Sequence, residues 1–313
     1  MLGLEKVIVE RNARSTTEKS SQEFVKISEE LSLLNEAKEL ERCRELNINT
    51  AHVKALDIIN YDKENNQLTT KTIPGGQSLF NKLWNETSIV SCLSFKGIDS
   101  DMVLSRMQEI GEWLRLYHNS TEYPDYSQHV SLNLLETFKN KVAYIRTHRL
   151  VNERLISVFE KRMFPEIEKL VDHQYQEENY IRFCRVHGDF VAYNMVVDQN
   201  WNVFIADFAD THIGASTEDI GRFCELLYAM AQTNRVRNKI FTNAVDVFLE
   251  AYGIPLNIQR SPLLKTIRAL NVILHLISEY HIRPYVMSLL FTKMELRRIS
   301  IASLRWLSRE LDL

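Results

Sequence analysis

Glycine is scarce in this chain and unevenly placed, with nine in 313 residues and none between residues 4 and 74. Side-chain Cβ atoms limit how closely backbone can approach a phosphate, so a glycine-rich phosphate cradle is excluded over those positions. Cysteine is equally sparse. Cys43, Cys92, Cys184 and Cys224 show no CxxC spacing, which argues against a disulfide framework and suits reduced thiols in a cytoplasmic protein. Cys184 and His187 form a lone C-x-x-H without a second half-site, the pattern of a buried thiol beside an unrelated histidine rather than half a zinc site. Excess charge of one sign is missing too. A net charge of -3 and a pI near 6.3 provide no long-range field for a polyphosphate backbone, so no nucleic-acid partner is expected and any anion site must be local. Long apolar runs are also wanting. Glu5 and Glu10 interrupt the N-terminus before a signal-length stretch, and "ALNVILHLISEYHI" is broken by Asn271, His275 and Glu279, so neither secretion nor a transmembrane helix is expected.

What is present is an ordinary globular composition, with 45% hydrophobic and 25% charged residues. At 36.7 kDa the chain suits two modest domains or two unequal lobes sharing a cleft. The first part alternates β-like runs with one helix: "KVIVE", polar "RNARSTTEKSSQ", "EFVKI", helical "SEELSLLNEAKELERCREL", then "VKALDII" and "QLTTKTI". Pro74-Gly75-Gly76 punctuates the chain, predicting a boundary between residues 1–75 and 76–313. Beyond it, Leu104, Met107, Gly111, Leu114 and His118 recur at helical spacing, as do Leu132, Leu135, Phe138, Val142 and Ile145. A hairpin then interrupts the helices, with "YNMVV" and "NVFIADF" joined by "DQNW". Helices resume from Asp219, broken at Gly253 to Pro255 and at Pro284.

The stretch around that hairpin, "CRVHGDFVAYNMVVDQNWNVFIADFAD", carries the chemistry. Asp189 falls on the loop before the first strand, Asn194 at that strand's root and Asp207 at the end of the return strand, so the hairpin can bring all three to one rim. Oxygen-bearing side chains so placed suit a hard cation such as Mg²⁺, which keeps few protein ligands and takes the rest from phosphates and water. An Asn and one Asp can be the metal pair, leaving the other Asp to act on a hydroxyl, the division of labour that phosphoryl transfer requires. On spacing alone, an equal reading is that Asp189 and Asp210 cap turns and Asn194 satisfies a loop backbone.

"HGDFVAYN" resembles the H-G-D-x-x-x-x-N catalytic loop of the aminoglycoside phosphotransferase and choline kinase family, small-molecule kinases of protein-kinase-like fold. The resemblance continues through "IADFADTHIGASTEDIGRF", where Asp207, Phe208, Gly214 and Asp219 match the family's metal-binding Asp and the Gly and Asp that follow it. It implies an α+β bilobal fold, with a small β-rich N-lobe over residues 1–75 and a larger, mainly helical C-lobe over 76–313. It implies ATP and Mg²⁺ as cofactors, Asp189 as the catalytic base, and Asn194 and Asp207 as metal ligands. His187 would pack and hydrogen-bond within the loop, and Asp219 would hold the loop's backbone. In the N-lobe the resemblance asks for a strand Lys paired with a helical Glu; Lys26 fits the first, and Glu36, with Glu39 as rival, the second. "TTKTIPGGQSL" resembles the hinge where adenine meets backbone groups between Lys71 and Ile73.

One departure is the missing glycine hairpin ahead of the Lys strand. Either Gly3 is its remnant, or "RNARSTTEKSS" covers the nucleotide through hydroxyls and amides, or nucleotide binding is degraded. The expected activity is transfer of the ATP γ-phosphate to a hydroxyl of a small molecule or glycan; the alternative is a pseudokinase-like binding module without turnover. Residues 261 to 313 hold eight Lys/Arg against four acids, which weighs against a polycationic aminoglycoside and permits a neutral sugar, an anionic metabolite or a lipid-linked acceptor at a membrane surface. The terminal "KMELRRISIASLRWLSREL" reads as an amphipathic helix with a solvated basic face, peripheral membrane contact being the minor reading. Trp84, Trp113 and Trp306 could cage a quaternary ammonium such as choline, although scattered aromatics are more often core.

Overall fold

The computed structural model describes residues 7–11, 16–19, 23–28, 33–87, 99–122, 183–231 and 235–254, with isolated positions between 139 and 165. Contacts divide the chain into two units, Met1–Ser120 with Arg185–His212, and Thr121–Cys184 with Ile213–Leu313.

In the first unit, β1 (Val7–Arg11), β2 (Thr16–Lys19), β3 (Glu23–Ile27), β5 (Ile58–Asp62) and β6 (Gln67–Lys71) form one sheet in the order β1-β2-β3-β6-β5. Its described pairings are antiparallel. The polar run expected as a connector therefore contains a strand, because pairing on both sides outweighs the weak preference of "TTEK". The single apolar run "VKALDII" is likewise two strands. β4 (Val53–Ala55) leaves for a second sheet and β5 stays in the first. That second sheet runs β4-β10-β9-β7, with β7 (Gln77–Ser78), β9 (Met195–Val197) and β10 (Val203–Ile205). The anticipated hairpin is β9–β10, antiparallel and in register from Val197↔Val203 to Met195↔Ile205. Its strands are shorter than the apolar runs: a 3₁₀ turn at Ala192–Asn194 precedes β9, and another at Phe208–Asp210 follows β10. The turn at Pro74–Gly76 lies within this unit, between β6 and β7.

Helix α1 (Leu34–Glu45) buries Glu36, Ala37, Glu39, Leu40 and Cys43 on one face. It stops where Asn47 turns left-handed at φ 49°, and the Ile48 amide folds back 3.0 Å onto the Cys43 carbonyl. After α2 (Leu79–Glu86), helix α3 (Ser100–Asn119) is capped by Asp99, whose carboxylate accepts from the Met102 amide at 3.0 Å. Its buried stripe is wider than anticipated and centres on Val103, Met107, Ile110, Leu114 and Tyr117, while Leu104 is only half-buried. Trp113 is fully buried and donates its indole N–H to the Ile48 carbonyl at 2.9 Å, so it is a core residue and no ammonium cage wall. Trp84 stacks on Phe80; Trp306 lies outside the described residues.

In the second unit, α4 (Thr217–Ala231) and α5 (Arg235–Tyr252) bury Ile220, Phe223 and Leu227 on one side and Phe241, Val245, Phe248 and Leu249 on the other. Helix α5 ends just before Gly253 at φ 96°, as the sequence pattern requires. The second expected helix around Leu132 to Phe138 and the C-terminal basic segment lie outside the described residues.

Candidate active site

Strand β8 (Phe183–Val186) leads into the loop that begins at His187. The His187 ring is fully buried, and its two nitrogens do different jobs. Nδ1 accepts from the Asp189 amide at 3.3 Å, while Nε2 lies 2.9 Å from the Ala206 carbonyl. A carbonyl can only accept, so the ring is the tautomer protonated at Nε2. The Ala206 amide in turn donates to the Asn194 carbonyl at 2.9 Å. Both backbone groups of Ala206 are thus committed to the loop, and the next residue, Asp207, is delivered to the rim that bears Asp189 and Asn194.

Within the loop, the Asn194 amide nitrogen donates to the Asp189 backbone carbonyl at 2.9 Å and to its carboxylate at 2.8 Å. The rotation of the Asp189 carboxylate is fixed, and Asn194 Oδ1 faces away from it. Asp207 sits in the left-handed region at φ 63°, ψ 60°, a conformation costing an ordinary side chain about 1–2 kcal/mol. Its carboxylate is 44% exposed, and one oxygen lies 2.6 Å from Lys26 Nζ. Gly188 is needed for a different reason. At φ +80° a Cβ there would stand 2.2 Å from the Asp210 carbonyl oxygen, so loop and 3₁₀ turn meet backbone to backbone.

Of the two candidate glutamates, Glu36 is the one beside Lys26, with Oε2 at 2.9 Å from Nζ. Lys26 therefore spans Glu36 and Asp207. Burial alone would push its ammonium pKa down; the two carboxylates outweigh that and hold it above its ordinary value. The Glu36 carboxyl is also held above the usual carboxylate range, because burial outweighs the attraction of Lys26. Glu39 is committed elsewhere, with Oε1 2.7 Å from Arg185 Nε.

Lys71 ends β6, and its amide donates to the Asp57 carbonyl at 2.9 Å. The Ile73 carbonyl accepts from Gly76 at 3.0 Å, whereas the Ile73 amide makes no hydrogen bond among the described residues. Thr70, unmarked in the sequence, adds a further polar group. Leu68 pairs directly with Lys26, and Thr70, two residues on, lies on the same sheet face. Its hydroxyl is buried without a hydrogen-bond partner among the described residues. An unsatisfied hydroxyl and an open amide at the end of the lysine's sheet face fit a flat base bearing both a donor and an acceptor.

The remaining candidates are placed as follows. Asp219 is fully buried in the first turn of α4, in the second unit. Gly3 and the residues joining β1 to β2 lie outside the described residues, but the two strands pair as an antiparallel hairpin ahead of the Lys26 strand. Among the described residues no cluster of three or more His, Cys, Asp or Glu stands ready for a metal. The donor set of Asn194 and Asp207 instead suits a hard cation that takes its other ligands from phosphate and water. No described helix is long and apolar enough to cross a membrane.

Comparison with known proteins agrees with this geometry. Residues 104–259 match the model of the phosphotransferase enzyme family. A search of curated proteins by sequence finds no match. Among solved structures, a choline/ethanolamine kinase family protein from Mesorhizobium loti aligns with 99% of this chain and 93% of its own, at 14% identity and a TM-score of 0.57. The choline kinase LicA from Streptococcus pneumoniae aligns with 98% of this chain and 94% of its own, at 14% identity and a TM-score of 0.54. A glucosamine kinase in complex with glucosamine, ADP and inorganic phosphate aligns with 97% of this chain and 76% of its own, at 12% identity and a TM-score of 0.64. The fold is that of the protein-kinase-like small-molecule kinases, and residues 104–259 carry the pattern of the phosphotransferase enzyme family.

Proposed function

We propose that the protein is an ATP- and Mg²⁺-dependent kinase that moves the γ-phosphate to a hydroxyl of a small molecule or glycan, with residues 1–75 as the lobe over the nucleotide and 76–313 as the lobe carrying catalysis. The observation carrying this reading is the position of Lys26 Nζ, 2.9 Å from Glu36 and 2.6 Å from Asp207, on the rim where Asn194 fixes Asp189. A lysine held by a buried carboxylate is stiffened enough to meet phosphate oxygens as a fixed charge. Glu36 holds Lys26, and Lys26 neutralises the phosphates. Asp189 orients the acceptor hydroxyl and takes its proton as the new P–O bond forms and the bond to the leaving ADP oxygen breaks. Asn194 and Asp207 would hold Mg²⁺, which when bound draws charge from the phosphate oxygens. The Ile73 amide and the Thr70 hydroxyl are the groups offered to the base. His187 braces the loop, and the support of the loop's backbone assigned to Asp219 rests on the family resemblance alone.

The acceptor is taken as a small hydroxylated molecule because the structural relatives named above are kinases of choline and glucosamine. A cytoplasmic setting accords with Cys43, Cys184 and Cys224, which are buried and outside any disulfide. Two further readings stay within the proposal: peripheral membrane contact through the basic C-terminal segment, and no nucleic-acid partner. The test is a melting series. Mg-ATP should raise the melting temperature of the wild type, Asp207→Ala should abolish the rise, and Asp189→Ala should keep the rise while ADP release with hydroxylated metabolites disappears. A wild type indifferent to Mg-ATP would favour a binding module without turnover, the reading that the glycine-free hairpin supports.

A further inference from the structure

Helix α1 buries two carboxylates on one face, three residues and about 4.5 Å apart along the axis. Glu36 is accounted for by Lys26. Glu39 is the more deeply buried, at 1% exposed, and nothing in nucleotide binding calls for it. Burying an unpaired carboxylate costs several kcal/mol, so its partners indicate what it is for.

Those partners come from three elements. Arg42, on the same helix, lies 3.4 Å away, and the Tyr117 hydroxyl of α3 donates at 3.2 Å. The shortest approach is Arg185 Nε at 2.7 Å. That N–H points off the carboxylate, so the attraction is coulombic rather than a well-aligned hydrogen bond. In so buried a place it is little screened by solvent. Arg185 lies on β8, two residues before His187 and four before Asp189. One helix face therefore holds both halves of the site. Through Glu36 it holds Lys26 and Asp207, and through Glu39 it holds the strand that delivers Asp189. The helix also packs directly on the 3₁₀ turn that follows Asp207.

Resting on the kinase reading, we infer that Glu39 is a positioning residue: acting through Arg185, it locks the catalytic loop to the helix that places Lys26, so both halves of the site move as one body. The ion pair touches neither nucleotide nor acceptor. Its loss leaves the phosphate lysine and its Glu36 brace intact and loosens the loop. A displacement of about 1 Å between reacting groups is enough to cost about a hundredfold in rate.

The experiment uses the full-length protein and the variants Arg185→Met, Arg185→Lys and Glu39→Gln, the last keeping shape and the Tyr117 hydrogen bond while removing the charge. Amide exchange over residues 187–194 should quicken about tenfold in Arg185→Met and in Glu39→Gln, while exchange over residues 67–71 stays at the wild-type rate. Arg185→Lys should recover most of the protection. Hydrolysis of Mg-ATP with water as acceptor should fall about tenfold to a hundredfold in kcat, with KM within about twofold. Unchanged exchange over 187–194 in a folded Arg185→Met protein would overturn the inference. So would faster exchange spread evenly over both segments, or KM and kcat failing together without rescue by lysine. The exchange arm needs no turnover, so a wild type that ignores Mg-ATP fails the kinase reading alone and leaves the inference to be decided.

Discussion

Replacing Gly188 by Ala isolates what the loop's glycine does. Two penalties fall on it. The residue is at φ +80°, where a Cβ costs about 1–2 kcal/mol. The new methyl would also stand 2.2 Å from the Asp210 carbonyl oxygen and 2.9 Å from its carbon, so loop and turn must separate by roughly 1 Å to restore ordinary contact. The separation cannot be absorbed by a side chain, because both faces are backbone. Gly75→Ala is the matched control. It has a similar φ of +66°, but the neighbour its Cβ meets, at 2.8 Å, is the Gln199 side-chain amide, which can swing aside. Gly75→Ala should therefore lose only the strain, a melting shift of about 2–8 °C for a unit of this size. Gly188→Ala should melt lower still and lose the Mg-ATP-induced rise, because Asp207 is carried away from Asn194. Differential scanning fluorimetry with and without Mg-ATP reads both. Equal melting temperatures for the two variants would refute the backbone-contact argument.

Two further predictions concern groups outside the reacting centre. Glu109 on α3 accepts from the Thr50 hydroxyl, the His52 amide and the His52 ring, beside Arg106. Burial pushes its carboxyl up, but those donors outweigh burial and hold it below the usual range. The stabilisation is then fully present above the ordinary Glu value of about 4.3 and lost as pH falls through the lowered folded value. Glu109→Gln should melt below wild type at pH 7, and the gap should narrow by about pH 3.5; a constant gap would contradict the assignment. Cys43 is buried as the tenth residue of α1, and burial, with Glu39 nearby, pushes its thiol up to about 12. Native protein at pH 8 should leave Cys43 unalkylated by iodoacetamide, with labelling seen by mass spectrometry only after unfolding; rapid native labelling would contradict the burial.

The site was legible where its residues are close in sequence and obscure where they are not. Asp189, Asn194 and Asp207 lie on one hairpin, and strand geometry alone carries them to a common edge. Lys26 could be assigned to a strand, yet the choice between Glu36 and Glu39 could not be made: residues three apart share a helix face, and which one meets the lysine depends on how the helix sits. Arg185 had no signal at all. An arginine in "FCRVHGD" looks like any half-exposed strand residue until the buried Glu39 is seen opposite it. Thr70 was hidden for a similar reason, as its burial depends on pairing between β3 and β6. In the fold, "VKALDII" defeated pattern reading because an apolar run does not reveal that the chain changes sheets at Leu56 and Asp57.

The glycine-free hairpin need not count against nucleotide binding. A phosphate can be held by loop amides drawn close, which demands glycine, or by a charge fixed in place, which does not. In this chain the second means is present: Lys26 is gripped by one buried and one exposed carboxylate, and the helix carrying the buried one is itself tied to the loop through Glu39 and Arg185. On the proposed kinase reading, amides from an ordered hairpin would add affinity by surrounding the phosphates, whereas the lysine and its braces would set where the phosphates lie. Shortage of glycine in the N-terminal hairpin should therefore weaken nucleotide affinity more than it weakens the rate of the bound complex. On the proposed reading, that asymmetry would mark a kinase with a high KM for ATP and would separate it from a module that has discarded its chemistry.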